Sequence, residues 1–147
     1  MANECIPKYE PGQDLTGQVT QAGGVVGKRC LAISADKQGV EAVSDNTSGG
    51  NIMVAYPAAG VMIVGVSGYD AGVGRKIKVV RGANKVVPIR CSVALGFNVE
   101  VETAADGTVV PRDAVARPNA KAIGRTFRSA AINTDALVEL YGAPVAS

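Results

Sequence analysis

Short valine-rich runs that alternate apolar and polar residues recur along the chain at spacings of roughly 8–12 residues, separated by glycine-rich turns. "GFNVEVETAADGTVVPR" (Gly96–Arg112) shows the unit: strands at Asn98–Thr103 and Thr108–Val110, joined through Asp106-Gly107, where glycine tolerates a positive φ. Such spacing predicts an all-β domain, a small β-barrel or β-sandwich. Any helix is expected to be short, the best candidate being a turn near Pro111–Ala116. Composition agrees, since Val, Ala and Gly (18 glycines) are plentiful and Leu, Ile and Phe are scarce.

The chain has 147 residues, enough for one core that buries roughly two thirds of the unfolded surface. Residues 1–21 carry Pro7, Pro11 and Gly12, show no helical period and end in the short strand "LTGQVT". They read as an extended N-terminal arm, which must lie over its own domain or over a neighbour. Residues 22–147 read as a single β domain. Within it "VVGKRCLAIS" (Val25–Ser34) is the first confident strand, with Val26, Cys30 and Ala32 on one face. Strands follow at Val40–Val43 and Ile52–Ala55, around an exposed loop at Asp45–Asn51. "VMIVGVSGYDAGVGRKIKVV" gives a fully buried strand, a turn at Gly68–Gly74 and a half-exposed strand at Lys76–Val80; Pro88 marks an edge or bulge. "AKAIGRTFRSA" and "ALVELYG" make a closing hairpin, with Val138 and Leu140 on one face and Leu137 and Glu139 on the other.

The residues that carry chemistry are few. There is no His, which removes the commonest general base and metal ligand. Asp36, Asp70, Asp106, Asp113 and Asp135 fall in expected turns, where bonding to the backbone is their ordinary work. Glu100 and Glu102 share a strand face, expected to be solvated. No CxxC, HExxH or EF-hand spacing occurs, and "GYDAGVGRK" lacks the ending of a phosphate loop. No enzyme, cofactor or metal is expected. Cys5, Cys30 and Cys91 are odd in number and widely spaced, which argues for reduced thiols in a cytoplasm, Cys30 and Cys91 as small buried hydrophobes. No apolar run reaches the ~18 residues of a membrane span, and residues 1–14 show no basic stretch followed by an apolar one, so a soluble, unsecreted protein is expected.

The net charge of +2, from 15 basic and 13 acidic residues, and the six aromatics without Trp give no nucleic-acid signature. Between Ala71 and Val99, however, Arg75, Lys76, Lys78, Arg81, Lys85 and Arg90 stand with no acidic residue among them. Two readings stay open: a sheet face kept solvated by lysine, and a docking surface for an acidic partner.

The order "GQDLTGQVTQAGGVVGKRCLAIS", "GVMIVGVSGYDAGVGRKIKVV", "GFNVEVETAADGTVVP" and "AIGRTFRSAAINTDALVELYG", spanning about Gly12 to Tyr141, resembles the capsid decoration (cement) proteins of tailed bacteriophages, especially those of phages infecting actinobacteria. That resemblance implies an all-β protein made in the host cytoplasm that binds the outside of the expanded head, as homotrimers at local three-fold positions, and stabilises the shell. The partners it implies are the major capsid protein and further copies of the chain, with no membrane and no direct nucleic acid. The candidate capsid or subunit contacts are Ile6, Tyr9 and Pro11 in the arm, and Lys76, Lys78 and Arg81 in the basic stretch. A head-completion or tail-tube component and a glycan-binding β module are the rival readings.

Overall fold

The computed structural model describes residues 14–36 and 52–146, with side chains up to Tyr141. It contains ten strands and, among the described residues, no helix. The strands are β1 (Leu15–Val19), β2 (Cys30–Ala35), β3 (Ile52–Ala55), β4 (Gly65–Ser67), β5 (Lys76–Val80), β6 (Val86–Arg90), β7 (Glu100–Thr103), β8 (Val109–Pro111), β9 (Lys121–Thr126) and β10 (Asp135–Ala146). The first five close into a barrel in the order β1-β3-β2-β4-β5, and the last five form a sheet in the order β6-β10-β9-β7-β8.

The short strand at the end of the expected arm is a stave of that barrel. β1 runs antiparallel to β5, with Leu15 opposite Val79, and parallel to β3, with Val19 opposite Val54. Its period of two buries Leu15, Gly17 and Val19 and exposes Thr16. Gly17 lets the staves approach closely: a Cβ there would lie 3.1 Å from a Val54 methyl and 3.2 Å from a Val79 methyl, so those side chains would have to give by a few tenths of an ångström. The barrel interior is filled by Leu15, Val19, Val25, Leu31, Val54, Ile77 and Val79.

The second sheet also curls. Its outer strands meet where Cys91, just past β6, bridges Val109 of β8. Val87, Ile89, Cys91, Val101, Val109, Ile123, Val138 and Leu140 pack inside that curl, together with Cys30 and Val66 from the barrel wall. β2 is therefore buried on both faces at its start: Leu31 points into the barrel, and its neighbour Cys30 points into the sheet's core. Each fully buried Val, Leu or Ile side chain here contributes roughly 1.5–3 kcal/mol.

The hairpin of Gly96–Arg112 forms as its sequence predicts, with Thr103 opposite Val109 and Gly107 at φ +80°. Its tip docks on the barrel. The Cys30 amide donates to the Gly107 carbonyl at 2.7 Å, and a Cβ on Gly107 would sit 2.8 Å from the Cys30 oxygen. The Arg90 amide donates to the Lys28 carbonyl at 3.0 Å, a second tie between the two halves.

Three expectations change. The strand expected over Val25–Ser34 begins only at Cys30; Lys28 takes a left-handed φ of +61°, and Val25 makes an isolated bridge to Ala71. The buried strand expected in the apolar run is only Gly65–Ser67, and Val61 and Met62 are exposed. The turn expected near Pro111–Ala116 forms without extending into a helix, capped by Asp113, whose Oδ1 accepts from the amides of Val115 (3.1 Å) and Ala116 (3.0 Å). Glu102 is not solvated but 1% exposed. The expected strand at Val40–Val43 and loop at Asp45–Asn51 lie outside the described residues.

Candidate functional surface

Three surface features and one half-buried ion pair stand out. On β5, Lys76 and Lys78 alternate with the fully buried Ile77 and Val79, so both lysines project from the barrel on one face. The acid that the basic stretch lacks comes from the head of β1. Asp14 holds Lys78 at 3.1 Å and Lys85 at 3.0 Å. Burial opposes the charge on Asp14, but hydrogen bonds from Lys85 and Lys78 outweigh it and hold its carboxyl below the ordinary value of 3.8. Half of the expected basic pair is thus already neutralised within the chain.

Arg81, expected to join those lysines, lies past the end of β5 and lines a groove of about 890 Å³. The groove exists because β4 starts late. β2 and β4 pair only at Cys30–Val66 and Leu31–Gly65, and the last link between them is the Val64 amide donating to the Leu31 carbonyl at 2.8 Å. Beyond that point Ala32–Ser34 and the segment 61–64 part and become the two walls. Gly65 fixes the parting, since a Cβ there would lie 2.6 Å from both a Val79 methyl and the Val80 oxygen. The loop before it is tied to the second sheet: the Gly60 amide donates to the Thr103 carbonyl at 2.8 Å, and the Lys121 amide donates to the Gly60 carbonyl at 2.9 Å. Ile33, Tyr56, Pro57, Val61, Met62 and Val64 give the groove an apolar lining, Arg81 and Lys121 supply cations, and among the described residues no Asp or Glu lines it.

At the far side of the second sheet the only two phenylalanines of the sequence are exposed, Phe97 by 74% and Phe127 by 52%. They stand on neighbouring loops, because the Asn98 amide donates to the Thr126 carbonyl at 2.9 Å and Leu95 and Ala130 exchange hydrogen bonds at 2.9 Å. Ile132, 58% exposed, belongs to the same end.

Within the sheet, Glu102 meets Arg117 through one carboxylate oxygen. The other has no partner among the described residues, and neither does Arg112 Nε. The pair joins the β7–β8 hairpin to the loop before β9, where Arg117 also lines a shallow cavity with Gly60, Val61 and Pro118. Asp106 and Asp70 do turn work: Asp106 Oδ1 accepts from the Thr108 amide and hydroxyl (3.1 and 2.5 Å), and Asp70 Oδ1 from the Gly27 amide (2.8 Å). Asp135 instead pairs with Lys28 at 2.7 Å and Arg90 at 3.7 Å. Cys30 and Cys91 are free and fully buried, and burial pushes the Cys30 thiol up to about 12. Among the described residues no cluster of three or more His, Cys, Asp or Glu could hold a metal ion.

Of the six candidate contacts, Lys76 and Lys78 share a face, Arg81 belongs to the groove, and Ile6, Tyr9 and Pro11 lie outside the described residues. Sequence reasoning missed the groove. The available signal was "YPAAG" ahead of the apolar run, a turn that delays the strand behind it.

No family model matches the sequence, and no curated protein matches it. Among solved structures the fold is similar to the crystal structure of the N base of the head fiber gp8.5 in bacteriophage phi29, with a TM-score of 0.65 and 18% identity over 92% of this chain and 98% of that one. The likeness runs through both halves of the molecule, so the barrel with its curled second sheet is a known architecture.

Proposed function

We propose that the protein is a structural component of a phage head that decorates the shell. It binds the outer surface of the expanded capsid, as trimers at local three-fold positions, and stabilises the shell by contact area without catalysing a reaction. The observation that carries this reading is the fold likeness to a phage head fiber base across 92% of this chain and 98% of that one. Its partners are the major capsid protein and further copies of itself, and its place is the outside of the virion. A protein of this kind needs complementary surface and no reactive centre. The exposed lysines of β5 and the exposed apolar side chains at Phe97, Phe127 and Ile132 supply surface of both kinds.

Co-sedimentation of the purified protein with expanded, undecorated heads, with unexpanded proheads as control, tests the proposal. Saturable binding to expanded heads alone, with a plateau of three copies per local three-fold site, is the expected result. A folded protein that binds neither shell rejects it. In the same assay, reversing Lys76 and Lys78 to Glu should weaken binding and flatten its dependence on salt. An unchanged salt titration removes the two lysines from the contact.

A further inference from the structure

The groove opens at the rim of the barrel where the chain enters β1. Leu15 pairs with Val79 in antiparallel register, so the chain enters β1 beside the end of β5, two residues short of Arg81 in the groove wall. Residues 1–13, at up to ~3.3 Å each, have ample length to reach from that rim along the whole groove. On the wall, β2 has no strand against its β4 side beyond Leu31 among the described residues, which leaves backbone for an extended segment to pair with.

The chemistry of residues 1–13 matches the groove. "NECIPKYEPGQ" carries Ile6 and Tyr9, apolar anchors, between Glu4 and Glu10. The groove offers an apolar lining with Arg81 and Lys121 and, among the described residues, no acid of its own. Pro7 and Pro11 forbid helix and favour an extended chain, which lowers the entropy lost on docking. A tether of this length also holds the segment at an effective concentration of order mM, so a weak site is filled.

We infer that the groove is the seat of the chain's own N-terminal segment, with Ile6 and Tyr9 in the apolar trough and Glu10 and Glu4 toward Arg81 and Lys121. The seat is independent of any role on a capsid.

The sequence provides its own probe. Cys30 and Cys91 are fully buried, so Cys5 can be captured selectively by a second thiol placed on the surface. In the full-length chain, Met62→Cys puts that thiol at a groove position 61% exposed, and Val73→Cys puts it at a position 56% exposed in the turn before β5, at the opposite rim of the barrel. Both lie within reach of a segment of this length that is not seated in the groove. Under oxidised glutathione at low protein concentration, the disulfide from Cys5 to position 62, within one chain, should form roughly tenfold faster than that to position 73. Adding Arg81→Glu and Lys121→Glu should remove the preference, and Glu4→Lys with Glu10→Lys should restore it. Equal rates at the two positions overturn the inference, and so do disulfides that form only between chains, which would give the groove to a second copy.

Discussion

Gly107 shows how much one backbone position can carry. It needs a left-handed φ of +80°, and its missing Cβ makes room for the Cys30 carbonyl at 2.8 Å. Gly23 shares the first demand, at φ +82°, but has nothing within 4 Å of its would-be Cβ. Urea denaturation should therefore separate the two: about 1 kcal/mol lost in Gly23→Ala, and about 2–4 kcal/mol in Gly107→Ala, where the hairpin tip must also leave the barrel. Equal losses would mean that the tip contact contributes little. The turn at Asp106-Gly107 was legible in the sequence because its chemistry is local. The burial of Glu102 was not, because an alternating strand shows which residues share a face but not which partner covers it. Arg117, 15 positions away in sequence, supplies the charge that makes its burial tolerable.

At the scale of elements, the hairpins β7–β8 and β9–β10 and the strand β5 were readable from alternation and turn residues. The apolar run ahead of β4 was not. A run of valines and isoleucines states that burial is available, whereas strand length is set by where the neighbouring strand ends, and β2 pairs with β4 over two residues only. β2 itself reads as an ordinary amphipathic strand, yet Cys30 and Leu31 face two different cores. This predicts that native protein treated with a thiol reagent at neutral pH leaves Cys30 and Cys91 unmodified until it is unfolded in denaturant. For Cys30 the thiol's pKa of about 12 and its burial act together. Rapid labelling of Cys30 in the folded state would contradict the double burial of β2, and of Cys91 the closure of the second sheet's core.

For the whole molecule, the arrangement of barrel against curled sheet was beyond sequence reasoning, which reached an all-β barrel or sandwich. Strand order depends on contacts between distant residues, such as Cys30 with the core of the second sheet, and no single stretch encodes them. Because that shared core draws on both halves, the barrel and the sheet should unfold together. Far-ultraviolet circular dichroism and exposure of the Cys91 thiol, one probe of the backbone and one of the sheet's core, should give the same midpoint in urea. Two separated midpoints would mean that the halves are independent folding units.

A barrel that closes on itself, and a sheet whose outer strands meet at Cys91 and Val109, bear on how the chain behaves in crowds. Proteins held side by side at high density tend to zip together through unpaired strand edges and form fibrous aggregates. Here the five barrel strands spend most of their edges on one another, so among the described residues the free edges are confined to the second sheet and the open side of β2, and copies of this chain set shoulder to shoulder have less backbone left over for mispairing.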